Sequence, residues 1–224
     1  MTLTLWSVKG GSGVTVVASA LAAVLGRRGD GAALLVDLGG DAPAVLGAPE
    51  PDGPGVSDWL AADDAVGPAA IDRLTRPVAD GVDLVWRGRR PLGGAHRAEV
   101  LAAHLAGVGR PVVIDLGTLL LPPGSDPGDE VRRVLLDRSD RSWLVTRPCF
   151  LSLRRALNVG RRPDGVVLVA EDGRALGRTD VEDVLGAPVI ATVPVDAAVA
   201  RAVDAGLLAA RLPAAIARPL AAAA

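Results

Sequence analysis

Short apolar runs alternate with longer amphipathic stretches along this chain. Seven runs predict strands, at 3–8, 32–36, 82–86, 112–114, 142–145, 165–169 and 189–193. Several of them, such as Val112-Val113-Ile114 and Val166-Val167-Leu168-Val169, are apolar at every position. That pattern suits strands buried on both faces of a parallel sheet. Helical spacing falls between them, at roughly 14–28, 95–106, 129–138, 151–159, 180–185 and 196–210. The first of these opens with the β-branched Val14-Thr15-Val16-Val17. Val17, Leu21 and Val24 still recur at helical intervals, and Gly26 and Gly29 around Arg27-Arg28 mark a helix end. Alternating strand and helix predicts an α/β fold: a mainly parallel central sheet of about seven strands, helices on both faces, and right-handed crossovers.

The region 39–55 is rich in Gly, Pro and Ala and reads as a long loop with one short element, and 122–128 reads as a second irregular loop. Neither shifts composition enough to divide the chain, and there is no internal repeat. Residues 1–224 are therefore expected to form one domain. The alanine-rich tail after Leu212 contains Pro213 and Pro219, which argues against a continuous membrane-binding helix there.

Composition narrows the classes. The chain has 224 residues, half of them hydrophobic, with 22% charged and a net charge of −2. That excludes a disordered polyampholyte and a generally basic nucleic-acid binder. The one cysteine, Cys149, excludes a disulfide framework or a multi-cysteine metal site and fits a reducing cytosol. The start has no basic segment followed by a long apolar one, and no charge-free apolar run reaches the ~18 residues of a membrane span. A cytoplasmic location is expected. Only 2% of residues are aromatic, so the core must be built from Ala, Val and Leu. Lys9 is the only lysine among 24 basic residues, which raises the question of what an ammonium does there that a guanidinium cannot.

The chemistry concentrates in Ser7-Val8-Lys9-Gly10-Gly11-Ser12-Gly13-Val14-Thr15. This stretch leaves a strand, turns through three glycines and enters a helix. Glycines permit positive φ, so backbone N–H groups can curl around an anion, and the helix N-terminus adds about half a positive charge. Thr15 stands where a phosphate-binding loop places its magnesium ligand. Asp37 and Asp115 each follow an apolar run and should emerge at the carboxyl edge of the sheet, beside the glycine loop. Thr15, Asp37 and Asp115 together make a reasonable hard-cation environment.

Lys9-Gly10-Gly11-Ser12-Gly13-Val14-Thr15 resembles the deviant Walker A motif, K-G-G-x-G-K-[ST], of the ParA/MinD ATPases. Leu34-Leu35-Val36-Asp37 resembles the switch I strand of that family, and Val113-Ile114-Asp115-Leu116-Gly117 its Walker B and switch II region. Ala191-Thr192-Val193-Pro194-Val195-Asp196 resembles the segment bordering the adenine. The resemblance implies ATP or ADP with Mg2+ as ligand. Lys9, Gly10, Gly11, Ser12, Gly13, Val14, Thr15, Pro194 and Asp196 would form the nucleotide site, and a homodimer would let Lys9 reach phosphate across the interface.

Two departures bear on activity. Val14 replaces the ordinary P-loop lysine. The family's D-x-D switch reads Asp37-Leu38-Gly39, with Asp41 two residues out of register. A charge-assisted contact is worth roughly 1.5–3 kcal/mol, about 10- to 150-fold, so losing one lysine weakens binding without abolishing it. Phosphoryl transfer depends more steeply on positioning and charge. The expectation is a nucleotide-binding pseudo-ATPase with little turnover and no catalytic residues. Gly11-Ser12-Gly13-Val14-Thr15-Val16-Val17-Ala18 follows the outline of the TadZ/CpaE branch, as do Ser142-Trp143-Leu144-Val145-Thr146-Arg147-Pro148 and Ser152-Leu153-Arg154-Arg155-Ala156. That branch implies a positioning role for a Tad (Flp) pilus or secretion apparatus, with a cell pole or membrane reached through a partner.

Alternatives remain open: a working ParA-type partition ATPase with non-specific DNA binding, and a nucleotide-free scaffold. Gly11-x-Gly13-x-x-Val16 partly mimics a dinucleotide fingerprint, but it lacks the third glycine and leaves Lys9 without a role. Asp37 and Asp115 could instead cap turns. The arginine stretches Arg87, Arg89, Arg90, Arg97 and Arg147, Arg154, Arg155, Arg161, Arg162 read as solvated faces, with DNA or partner binding as the rival. His96 and His104 read as structural or exposed, and Cys149 as a buried thiol.

Overall fold

The computed structural model describes residues 1–29, 31–119, 124 and 126–224. Eight strands form one sheet: β1 (Thr2–Ser7), β2 (Ala33–Asp37), β3 (Arg76–Ala79), β4 (Val82–Val85), β5 (Val112–Thr118), β6 (Arg141–Thr146), β7 (Gly165–Ala170) and β8 (Val189–Pro194). Their order is β3-β4-β2-β5-β1-β6-β7-β8. Every pairing is parallel except that of β3 with β4.

Nine α-helices accompany these strands among the described residues, the last two following β8: α1 (Val14–Gly26), α2 (Ala42–Leu46), α3 (Val56–Leu60), α4 (Ala98–Ala106), α5 (Pro127–Arg138), α6 (Phe150–Leu157), α7 (Arg178–Leu185), α8 (Ala197–Asp204) and α9 (Ala214–Ala223). The apolar runs divide between two cores by strand alternation. Leu34, Val36, Val112 and Ile114 face one core with α3, α4, α5, α6 and α7. Ala33, Leu35 and Val113 face the other with α1, α2 and α9. Both faces of β2 and of the Val112–Ile114 part of β5 are dry, which is why these segments are apolar throughout.

All seven expected strands form, and an eighth joins them. The extra strand, β3, is a partly exposed antiparallel edge that contains Pro77. Proline has no N–H to donate, so it is tolerated on this edge, and with Arg76 it breaks the apolar run that marks the other strands. β5 continues past Ile114 to Thr118, so Asp115 lies within the strand and not beyond it. The helix expected over 196–210 stops at Asp204, and Gly206 follows with a φ of 64°.

The tail also differs from expectation. Pro213 stands at the N-terminal cap of α9 and Pro219 lies inside the helix without ending it. Ile216 and Leu220 are buried in the α1 core, and the Arg27 guanidinium donates to the Ala209 carbonyl at 2.6 Å. Tertiary packing offsets the lost helical hydrogen bond. The short element expected within 39–55 is α2; of the loop expected at 122–128, residues 122, 123 and 125 lie outside the described residues, and 127 and 128 already belong to α5. Among the described residues no helix is long and apolar enough to cross a membrane.

Candidate functional site

The glycine loop joins β1 to α1 at the carboxyl edge of the sheet. Gly11 and Gly13 adopt φ of 74° and 91°, and a Cβ at either would meet nothing within 4 Å. Backbone conformation, not crowding, therefore requires glycine at both. Hydroxyls pin the turn from within: Ser12 Oγ donates to the Lys9 carbonyl at 2.8 Å and Ser7 Oγ to the same carbonyl at 3.1 Å. Gly13 caps α1 without a side-chain bond, and no acid stands in the first turn. The leading N–H groups of α1 are thus left for an anion.

These groups open on a cavity of about 490 Å³. Gly10, Gly11, Ser12, Gly13, Val14 and Thr15 line it from the loop and α1. Gly39 and Asp41 close one side, and Gly117, Thr118, Asp126 and Arg132 another. Val14 is buried and contributes only hydrocarbon. Lys9 is exposed and does not line this cavity. It faces an adjoining polar pocket of about 310 Å³ with Arg147, Cys149, Ser152 and Arg174.

Asp37 and Asp115 are fully buried neighbours, paired in register across β2 and β5. Burial pushes the Asp37 carboxyl up to about 6 against the Gly40 and Ala42 N–H groups, which donate to it at 2.7 and 3.2 Å. Burial, reinforced by the Asp37 charge, pushes Asp115 up to about 7, and the Thr15 hydroxyl and Gly117 N–H oppose the rise. Asp115 Oδ1 accepts from Gly117 N at 2.8 Å, while Oδ2 is buried without a well-formed hydrogen bond. A Cβ at Gly39 would lie 3.1 Å from that oxygen and 3.4 Å from Thr15 Oγ1, so these two atoms share one small space.

This donor set fits a magnesium ion. Mg2+ keeps several waters and takes one or two carboxylates together with phosphate oxygens. The Thr15 hydroxyl and the orphaned Asp115 oxygen suit the direct role. Asp37 has each oxygen engaged by a backbone N–H and acts first as the cap of the turn that follows it. No group of three or more His, Cys, Asp or Glu able to hold a metal ion occurs among the described residues. A cation here would therefore depend on ligand phosphates.

Pro194 and Asp196 line a second groove, of about 300 Å³, between α1, β8 and α8. Its walls are mostly apolar, with Val17, Val193, Val199 and Ile216 among them. Gly13 and Val16 line both this groove and the phosphate-side cavity, so the two are contiguous. Asp196 also caps α8, accepting from Ala198 N at 2.7 Å and Val199 N at 3.2 Å.

Three charged residues of this region are not assigned to the site by the motifs. Asp41, set aside as out of register, lines the cavity because Gly40 turns the chain with a φ of 105°. Arg132 enters from α5, and no motif spacing links it to the loop. Arg87 donates to the Gly39 carbonyl at 3.2 Å and lowers Asp37, so it steadies the segment after β2.

The first arginine stretch is a solvated face only in part: Arg89 and Arg90 are exposed, whereas Arg87 is half-buried and Arg97 buried. Arg97 is buried, donates to the Ala62, Asp63 and Val66 carbonyls, and stacks 4.0 Å from the Trp59 ring centroid. Arg89 and Arg90 pair with Asp52 and Asp58. In the second stretch Arg161 pairs with Asp137, and Arg147 buries its Nε. His104 pairs with Asp72 at 2.8 Å. Cys149 is only half-buried. Burial pushes its thiol up, but Ser152 and the Lys9 charge outweigh that and hold it below its ordinary value.

No protein-family model and no curated protein sequence matches the chain. Solved structures do. The ParA family ATPase of Chlorobium tepidum TLS superposes with a TM-score of 0.75 at 19% identity, over 97% of this chain and 95% of that one. MinD cell division protein of Aquifex aeolicus gives 0.77 at 16% identity, over 99% and 94%. The septum site-determining protein MinD of Pyrococcus horikoshii OT3, complexed with Mg-ADP, gives 0.73 at 19%, over 100% and 94%. This chain has the α/β P-loop fold that those ParA and MinD structures share.

Proposed function

We propose that this chain is a ParA/MinD-like nucleotide-binding protein. It holds ATP or ADP with Mg2+, turns it over slowly or not at all, and dimerises as a positioning or assembly factor. One observation carries the reading: a cavity of about 490 Å³ at the first βα turn, formed by the glycine loop and the uncapped start of α1. Beside it stand the Thr15 hydroxyl and an unpartnered Asp115 oxygen suited to a hard cation. The contiguous apolar groove at Pro194 suits a purine, and the Pyrococcus MinD of the same fold is complexed with Mg-ADP. Residues 1–224 would act as one nucleotide-binding domain, with Lys9 free to reach phosphate held by a second copy.

Val14 and Gly39 support slow turnover, since they remove a cation and a carboxylate from positions that phosphoryl transfer uses. The likeness of 11–18 and 142–156 to TadZ/CpaE supports a Tad (Flp) pilus or secretion apparatus as the partner. The presence of Asp41 in the cavity favours a second reading, an active partition-type ATPase with non-specific DNA binding.

Calorimetric titration with ATP and ADP in Mg2+, with oligomeric mass measured on the same samples, tests these readings. Binding linked to a dimer, without phosphate release, supports the first. Metal-dependent turnover with salt-sensitive DNA binding replaces it by the second, and no nucleotide binding leaves a scaffold.

A further inference from the structure

Removing lysine from the P-loop ought to leave the phosphate-side cavity without a cation. It does not. Arg132, from the second turn of α5, lines the cavity together with the glycine loop. Among the described residues it is the only basic side chain lining that cavity. Its side chain is 12% exposed, so its charge is largely withdrawn from water.

One carboxylate holds it there. Arg132 Nη1 donates to Asp126 Oδ2 at 3.0 Å, and Asp126 itself lines the cavity. Gly128 makes this pair possible, because a Cβ at that position would stand 3.0 Å from both atoms. The guanidinium is not satisfied by Asp126. Its Nε is buried and has no hydrogen-bond partner. A buried charged donor left unmade costs free energy, and a planar fork of five donors is suited to phosphate oxygens.

We propose that Arg132 supplies the phosphate-binding charge that Val14 does not, so that the binding cation of this site comes from α5 and not from the glycine loop. The assignment rests on the nucleotide reading above and names the residue on which it depends. Arg132 would contact a phosphate chain bound against Gly10–Thr15. A charge-assisted contact of this kind is worth about 10- to 150-fold in affinity.

The test is calorimetry with ATP and, separately, inorganic tripolyphosphate, each in Mg2+, on wild type, Arg132→Gln, Arg132→Lys and Arg132→Gln/Val14→Lys. Arg132→Gln is expected to weaken both ligands by about 10-fold or more, with Arg132→Lys intermediate. Adding Val14→Lys to Arg132→Gln is expected to recover at least part of the loss, which a merely structural defect would not allow. Thermal melts identify any variant that fails to fold. Wild-type binding that Arg132→Gln leaves within about twofold overturns the role of Arg132 and leaves the nucleotide reading standing. Wild type that binds neither ligand overturns both.

Discussion

Gly39 and Asp115 approach so closely that a methyl group on Gly39 would sit 3.1 Å from Asp115 Oδ2. The contact brings the segment after β2 against the middle of β5, directly over the Thr15 hydroxyl. Position 39 is where the ParA/MinD-like pattern has its second switch aspartate. Glycine leaves that space open and adds no further negative charge to the buried Asp37 and Asp115 pair, which the nearby Asp41 charge already pushes up.

Gly39→Asp is therefore expected to destabilise the ligand-free protein by about 1–3 kcal/mol, through crowding and like charge in a buried setting. Mg2+ with ATP should recover most of the loss. Urea denaturation with and without Mg-ATP measures both effects. Val14→Lys alone should tighten ATP binding yet leave phosphate release unchanged, because position 39 still lacks its carboxylate. Turnover restored by Val14→Lys alone would refute the pseudo-ATPase reading.

The raised carboxyls set a pH dependence. Folding lifts Asp37 to about 6 and Asp115 to about 7, above their ordinary 3.8. Between those limits the native state holds more protons than the unfolded chain, so this contribution to stability is complete below about pH 4. It is lost as pH rises through 6 and 7. Asp115→Asn should remove much of that loss and gain about 1–3 kcal/mol at pH 8. Denaturation of both proteins from pH 4 to 8 isolates the effect, and a constant difference across that range would contradict it.

Lys9 faces the Arg147 and Cys149 pocket and not the cavity of its own chain. Lys9→Ala is expected to weaken nucleotide-linked dimerisation while changing nucleotide affinity of the isolated chain by less than about threefold. Sedimentation with and without ATP measures the first and calorimetry at low protein concentration the second. An unchanged sedimentation profile would remove the proposed role.

Two packing variants probe the scaffold. A Cβ at Gly26 would lie 1.8 Å from the Gly81 carbonyl, which already accepts from Ala33 N at 2.9 Å. Gly26→Ala should cost about 3 kcal/mol or more. At Gly29 the nearest atom is 3.8 Å away, so Gly29→Ala should stay within about 0.5 kcal/mol. Chemical denaturation separates the two.

Arg97 offers a different case, a buried cation held by three carbonyls and the Trp59 ring. Lysine cannot reproduce that planar fork. Arg97→Lys is expected to lose about 2–4 kcal/mol, read from the urea midpoint.

Much of this molecule was legible without coordinates, for identifiable reasons. Runs such as Val166-Val167-Leu168-Val169 announce a doubly covered strand, because burial on both faces forbids polar residues there. Gly10, Gly11 and Gly13 before a helix announce an anion loop, because φ values such as those at Gly11 and Gly13 are strained for other residues. These signals are local: each depends on a few consecutive residues and the conformations open to them. They determined the α/β class, seven of the strands, the phosphate turn and the two aspartates beside it.

Other features were set by contacts between segments far apart in the chain. β3 exists because β4 offers it an edge, and α9 runs through Pro219 because Ile216 and Leu220 are buried against α1. Arg97 is buried and Arg90 exposed, although neither position differs in sequence pattern. Arg132 reaches the phosphate cavity from a helix more than a hundred residues beyond the glycine loop. Backbone preferences act over a few residues, whereas charge and packing act through space. The sequence by itself therefore determined that a glycine loop opens α1 beside two aspartates, and only the tertiary structure decided that Arg132 is the basic side chain lining the cavity there.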